Sequence, residues 1–172
     1  SRGLGDVYKR QEHNLNNNYI WQESPMSRLK AWRLFRKDIA NKDVEHALEE
    51  CIKWWRSVPI GVRSIDPYTP DTWPTAWELL YYNDFCEHSR GVGMYYTLWY
   101  AGIKDIEMQL VSCNEKCELI TIIIVDNKWV LNYNYNTLDT IKDIHTNLEV
   151  IEKFNNVPII KAVLPKDQIV KY

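Results

Sequence analysis

Cys86 is the residue in this sequence that is best placed to do chemistry. It falls where a helix is predicted to begin, with Asp84 as the expected cap and Gly102 as the glycine that ends the helix. A cysteine in the first turn lies near the positive end of the helix macrodipole, which lowers the pKa of a thiol. The position predicts a nucleophile for amide or ester carbonyls, against the alternative of a small side chain buried between helix and sheet.

The side chains on the same side of the predicted helix as Cys86 are mostly small. Steps of three and four residues lead to Ser89 and Arg90, then to Gly93 and Thr97. A seam of this kind lets a helix lie close to a neighbouring element. We expect that element to be a sheet that follows the helix in sequence.

Three strands are predicted after this helix. Residues 106–110 alternate between apolar and polar side chains, whereas residues 119–125 form a nearly continuous β-branched run, typical of a strand buried on both faces. Asp126 and Asn127 then form a two-residue turn into a strand at 128–133. The predicted order is a cysteine-bearing helix followed by three strands.

Four short motifs lie within residues 73–133. They are Trp73-Pro74-x-x-Trp77-Glu78-Leu79-Leu80, the pair Cys86-Glu87, the helix end Leu98-Trp99-Tyr100-Ala101-Gly102-Ile103, and Val125-Asp126-Asn127-Lys128-Trp129-Val130-Leu131-Asn132. Their order and spacing resemble the transglutaminase-like cysteine peptidases, especially the bacterial branch. In that family a cysteine starts the helix, a histidine lies on a following strand, and an Asp or Asn lies on the next strand. The resemblance implies an α+β fold, transglutaminase-like or papain-like, with the helix packed on an antiparallel sheet.

The histidine that this family uses has no counterpart at the expected position. A two-residue turn would place Thr121 directly opposite Asn132, and opposed residues share one face of a sheet. If Asn132 is the orienting residue of the family, Thr121 occupies the histidine position. A hydroxyl has no lone pair of suitable pKa for a general base near neutral pH. The predicted catalytic set, Cys86 and Asn132, therefore lacks its histidine.

The four histidines of the chain offer no obvious replacement. His88 is two residues from Cys86 and so is turned by about 200° around the same helix. His145 follows the last predicted hairpin strand and could fold back toward the thiol. His13 lies in the N-terminal tail and His46 in an outer helix, where surface positions are expected.

Composition and charge limit the classes of partner. The chain has 172 residues, 45% of them hydrophobic, with a net charge of −2 and a pI near 6.1. This balance gives no reason to expect nucleic acid or an anionic membrane as a partner. No apolar run approaches the length of a membrane span, so a soluble chain in the cytoplasm is expected, or in the host cytoplasm or virion if the source is viral. The four cysteines are expected to be reduced, and no cofactor or metal site is predicted.

Three segments are expected along the chain. Residues 1–25 are predicted to be disordered or artefactual, since their start resembles a translated sequencing-adapter fragment. Residues 26–58 are predicted to form a helical hairpin, and 59–172 the α+β core, with a last strand near 157–164. Abundant Asn, Ile, Lys and Tyr indicate an AT-rich genome, which together with the adapter suggests a divergent phage or metagenomic member of the family.

Two functions from different classes follow. The favoured hypothesis is a non-catalytic or degenerate transglutaminase-like domain that acts as a binding or assembly protein with an unknown protein partner. The alternative is an active thiol-dependent hydrolase or acyl transferase that uses Cys86 on a peptide or other amide substrate. A nucleic-acid module ranks third, and salt-dependent binding of DNA or RNA would be its signature.

Overall fold

The computed structural model of the protein describes residues 19–134 and 136–154. Five helices lie in this part of the chain: α1 Pro25–Ile39, α2 Val44–Trp55, α3 Ala76–Tyr82, α4 Glu87–Tyr100 and α5 Ile141–Ile144. The strands are β1 Ile106–Cys113, β2 Glu118–Val125, β3 Trp129–Leu131, β4 Asp139–Thr140 and β5 Leu148–Phe154. Single 3-10 turns form at Tyr19–Gln22, Pro70–Thr72 and His145–Asn147. The strand expected near 157–164 lies outside the described residues.

The helical hairpin of α1 and α2 begins before residue 26. Ser24 caps α1 by accepting a hydrogen bond from the Ser27 amide, with proline at the first helical position. The preceding turn buries Ile20 and Trp21, which are only 2% and 7% exposed. Residues 19–25 are therefore ordered against the core, although the sequence predicts disorder up to residue 25. The burial of one tryptophan and one isoleucine gives this short turn its stability.

Helix α4 is the central element of the core. Its Thr97 hydroxyl accepts hydrogen bonds from the indole nitrogens of Trp32 on α1 and Trp55 on α2, both at 2.9 Å. At Gly93, an added Cβ would lie 2.4 Å from the Trp55 ring, so the indole occupies the space that a side chain would need. The hairpin is thus packed directly against α4. Gly102, at φ +99°, follows the end of the helix as predicted.

The five strands form one antiparallel sheet in the order β4-β3-β2-β1-β5. One face packs against the helices through side chains that include Met108, Leu110 and Ile123. The opposite face holds a second, smaller apolar cluster that includes Val111 and the α5 residue Ile144. The described part of the chain contains no helix that is long and apolar enough to cross a membrane.

The β2–β3 register differs by one residue from the sequence prediction. Val125 pairs with Trp129, not with Lys128, and Ile123 pairs with Leu131. Asp126 and Asn127 do form a left-handed turn, closed by a 3.0 Å bond from the Lys128 amide to the Val125 carbonyl. The Lys128 carbonyl, however, accepts a bond from the Ile141 amide at the start of α5. Lys128 thus belongs to the connection and does not pair with β2, and the predicted opposition of Thr121 and Asn132 is wrong.

Candidate functional site

Cys86 is the N-cap of α4, one position before the first turn in which it was expected. Its Sγ accepts a hydrogen bond from the Ser89 amide at 3.4 Å, and the Ser89 hydroxyl accepts one from the Cys86 amide at 2.8 Å. These reciprocal bonds satisfy two donors at the helix start, as a capping box does. Asp84, which the sequence predicts as the cap, does not cap this helix. The Cys86 thiol is half-buried.

The segment before α4 is fixed by a second stretch of backbone. The amide of Gly61 donates to the Phe85 carbonyl at 2.9 Å, and Ile60 and Phe85 form a parallel bridge. Phe85 is fully buried. Cys86 is therefore held between a buried phenylalanine and the first turn of a long helix, which fixes the position of its backbone.

Asn132 lies directly after β3 and joins α4 to the sheet. Its Oδ1 accepts a hydrogen bond from Arg90 Nε at 2.9 Å. Its Nδ2 donates to the carbonyls of Thr121, at 2.8 Å, and Glu87, at 3.2 Å. The residue is buried and has a φ of 66°, a left-handed conformation that asparagine tolerates better than most residues. Both ends of its carboxamide are thus engaged with fixed partners.

Gly91, not Gly93, lies on the side of α4 that faces the sheet. A Cβ on Gly91 would lie 3.1 Å from Asn132 Nδ2 and 3.4 Å from Thr121 Cγ2. Gly93 and Thr97 instead face the helical hairpin, so the small-residue seam predicted to meet the sheet meets α1 and α2. Gly93 lies about two turns beyond Cys86 and therefore on the same side of the helix. Only the part of the seam beyond Arg90 leads away from Asn132, because Arg90 itself donates a hydrogen bond to the Asn132 side chain.

His88 is the histidine that the structure brings to the sheet. Its Nδ1 lies 2.7 Å from the Thr121 hydroxyl. Burial lowers the pKa of His88, although the carboxylates of Glu87 and Glu118 partly oppose this shift. The sequence argument considered only the direction of His88 relative to Cys86 and missed its contact with Thr121. The sequence did contain a sign of this contact, because His88 precedes Gly91 by three residues and therefore lies on the same side of the helix.

No hydrogen bond joins the Cys86 thiol to an imidazole among residues 19–134 and 136–154. His145 is exposed, with Nδ1 3.0 Å from the Lys142 carbonyl, and it follows α5, which covers the other face of the sheet. His46 is exposed on α2 beside Asp43 and Glu50. His13 lies outside the described residues. His145, which the sequence left free to fold back toward the thiol, is instead at the surface.

The space beside Asn132 is narrow. A cavity of about 40 Å³ is lined by residues that include Arg90, Lys116, Thr121 and Asn132. This volume suits one or a few water molecules. The described residues contain no group of three His, Cys, Asp or Glu side chains arranged to hold a metal ion. Cys51, Cys86, Cys113 and Cys117 are free thiols.

Comparisons with known proteins give similarity at the level of structure. No protein-family model and no curated protein matches the chain. The calcium-bound structure of Legionella pneumophila LapG superposes with a TM-score of 0.64 and 13% identity, over 85% of this chain and 83% of LapG. The EGTA-treated LapG structure superposes with a TM-score of 0.64 and 14% identity, over 86% of this chain and 81% of LapG. At this identity the likeness concerns the fold, which is the α+β, transglutaminase-like fold that the sequence predicted.

Proposed function

We propose that this chain is a non-catalytic, degenerate transglutaminase-like domain that acts as a binding or assembly protein. The fold is that of LapG, a transglutaminase-like cysteine protease. The proposal rests on how the residues that the family resemblance singled out are used in this chain. Cys86 serves as a helix cap, the Thr121 hydroxyl lies 2.7 Å from His88 Nδ1, and Asn132 serves as a clamp between helix and sheet.

The engagement of Asn132 is the observation that carries the proposal. An orienting residue acts by accepting a hydrogen bond from the ring N–H of a catalytic histidine. The Oδ1 of Asn132 instead accepts from Arg90, whose guanidinium is a permanent donor. Its Nδ2 is used by two main-chain carbonyls, so flipping the amide would set its oxygen against both of them. These contacts favour a structural role for the carboxamide.

The arrangement of Cys86 supports the same conclusion. A nucleophilic thiol needs a base within hydrogen-bond reach, and backbone N–H groups nearby that bind the developing oxyanion. The Ser89 amide at this helix start already donates to Cys86 Sγ. The nearest candidate base on the helix, His88, is bonded to Thr121. Both groups thus have structural partners in place of catalytic ones.

The experiment is a turnover assay of the wild type and Cys86→Ala with fluorescein-labelled casein and p-nitrophenyl acetate. Because any exposed thiol reacts slowly with an activated ester, Cys117→Ala is the matched control. We expect no casein cleavage above buffer, and ester hydrolysis that Cys86→Ala lowers no more than Cys117→Ala does. A casein-cleaving activity that only Cys86→Ala abolishes would overturn the proposal.

The alternative function is a thiol-dependent hydrolase or acyl transferase. The half-buried thiol at the start of α4 favours it, since Cys86 could then attack a carbonyl and release the leaving group through an acyl-enzyme. It requires a base that reaches Sγ, and His88 would have to leave Thr121 to supply one. The proposal of a phage or viral source rests on the composition and the adapter-like start of the sequence, and that of a cytoplasmic or virion location on sequence patterns.

A further inference from the structure

The helical hairpin of α1 and α2 carries opposite charges on the exposed sides of its two helices. On α2, Glu45 and Glu49 are exposed and lie four residues apart, and they form an acidic stripe on the half of the helix nearest the turn. On α1, exposed residues recur at steps of three and four and form a basic stripe of three cations around a leucine: Lys30, Arg33, Leu34 and Lys37. The leucine is 63% exposed.

Both stripes lie on the outer surface of the hairpin. The buried sides of the two helices converge on α4, since Trp32 and Trp55 donate hydrogen bonds to the same hydroxyl of that helix. Leu34 is two residues from Trp32, and Glu49 is two residues from the fully buried Cys51. Each is therefore turned by about 200° from the buried side of its helix. The basic and acidic stripes both face away from α4.

The two stripes also lie at matching heights along the hairpin. Leu34 and Glu49 are each five residues from the end of their helix that is nearest the turn. Lys37 is two residues and Glu45 one residue from the same ends. A two-fold axis parallel to the helices preserves these heights and places α1 of one copy opposite α2 of the other. Each basic stripe would then face an acidic stripe, and the contact would occur twice.

The charges that would meet across this axis are not matched inside the chain. Lys37, Glu45 and Glu49 form no ion pair among residues 19–134 and 136–154. Two lysine ion pairs do form elsewhere on the hairpin, at 3.1 and 3.3 Å between charged atoms: Asp38 with Lys42, and Glu50 with Lys53. The basic and acidic stripes thus present charges for a partner to match.

The ends of this chain do not supply an acidic partner for the basic stripe. Residues 1–18 contain three Lys or Arg and two Asp or Glu, and residues 155–172 contain three Lys and one Asp. Both segments carry a positive balance, which does not complement a basic surface. The acidic stripe of a second copy does.

We propose that the outer face of the hairpin pairs with the same face of a second copy in a two-fold dimer. Lys37 faces Glu45 of the partner subunit, and Arg33 faces Glu49 of the partner subunit, with Leu34 packed between the two contacts. The inference rests on the proposed function and names another copy of this chain as the partner in assembly. Because exposed ion pairs each contribute little, the dimer is weak and sensitive to salt.

The test is sedimentation equilibrium of the whole chain between about 10 µM and about 1 mM, a range suited to weak association. Arg33→Glu and Glu49→Arg should each weaken the dimer at least about tenfold, because each sets like charges against each other at two symmetric contacts. The variant with both changes exchanges the charges and should regain the wild-type dissociation constant within about threefold. Circular dichroism confirms that each variant is folded.

Lys30→Glu is the matched control on the same helix. Lys30 and Lys53 are each nine residues from the turn, so at this height Lys30 meets a lysine of the other copy. Reversal of this charge should leave the dimer as strong as in the wild type or stronger. The proposal is overturned by a monomer at every concentration, by single reversals without effect, or by a double variant as weak as the single ones.

The casein assay on the same samples keeps the two proposals apart. Turnover that depends on Cys86 would refute the non-catalytic function and leave the dimer intact. A monomeric protein without turnover would refute the dimer and leave the non-catalytic function intact.

Discussion

Helix α4 packs against the helical hairpin on one side and against the sheet on the other, and the contacts on the two sides differ in chemistry. On the hairpin side, Gly93 lets the Trp55 ring lie against the helix, and Thr97 accepts two indole hydrogen bonds. On the sheet side, Gly91 lies beside Asn132, which binds the helix through polar contacts. One side is held by large rings that exclude water, and the other by a small polar network next to a narrow cavity.

The same comparison separates Cys86 from His88. Cys86 begins the side that packs on tryptophans, whereas His88 lies on the side that meets Thr121. In a working thiol site, the nucleophile and its base must meet on one side of the helix. Here the sheet side retains polar residues, but their hydrogen bonds connect secondary-structure elements.

The largest loss of stability is expected from Gly93→Ala. The new methyl group would lie 2.4 Å from the Trp55 ring, which is itself fixed by Thr97, so we expect a loss of about 3 kcal/mol in the free energy of unfolding. Gly91→Ala is the matched change on the sheet side. Its contact is milder, at 3.1 Å, and the helix gains about 1 kcal/mol from alanine, so its stability should stay near that of the wild type. Urea unfolding measures both, and equal losses would contradict the contrast between the two sides.

The second-largest loss of stability is expected when the hydrogen bonds of Asn132, the clamp between α4 and the sheet, are removed. Asn132→Gly keeps the left-handed backbone without strain but removes the hydrogen bonds to Arg90 and to two main-chain carbonyls, at a cost of about 2 kcal/mol. Asn132→Asp should be similarly unfavourable, because an acceptor would then face the Thr121 carbonyl. Circular dichroism during urea unfolding gives the values, with Asn127→Gly as a control at an exposed left-handed position. A fully stable Asn132→Asp protein would argue against the clamp.

Two threonines give a smaller contrast between the same two sides. Thr97→Val preserves shape but leaves two buried indole N–H groups without an acceptor, and we expect a loss of about 2 kcal/mol. Thr121→Val removes only the contact with the half-buried His88, which water can partly replace, so a loss of about 0.5 kcal/mol is expected. Thermal unfolding of both variants tests this order. A reversed order would place the more important polar contact on the sheet side.

The smallest effect is a dependence of stability on pH. Burial lowers the pKa of His88 in the folded protein, so the unfolded chain binds the proton more readily. The contribution of the neutral imidazole is therefore fully present above the unfolded pKa of about 6.5 and is lost as the pH falls toward the folded value. His88→Gln should reduce the fall in urea midpoint between pH 7.5 and 5.5. The control His145→Gln changes an exposed imidazole and should leave the fall as in the wild type.

Local patterns predicted much of the fold and less of the site. The helix that ends before Gly102, the β-branched strand β2 and the turn at Asp126 follow from periodicity and residue preferences. The register of β3 could not be predicted, because Asp126 and Asn127 are compatible with a two-residue or a three-residue connection, and the structure has the longer one. The element that the small-residue seam contacts could not be predicted either. Glycines occur on both sides of α4, and only the position of Trp55 shows that Gly93 faces the helical hairpin.

The most direct test of the account is the rate at which iodoacetamide alkylates each cysteine at pH 7. Exposed Cys117 serves as the reference, and buried Cys51, whose thiol pKa is raised by burial, should stay unmodified in the folded protein. If Cys86 acts as a helix cap, peptide mass spectrometry should show it reacting no faster than Cys117, and His88→Gln should leave its rate unchanged. Alkylation of Cys86 at least about tenfold faster than Cys117, slowed by His88→Gln, would reveal an activated thiolate with its base and contradict the non-catalytic function.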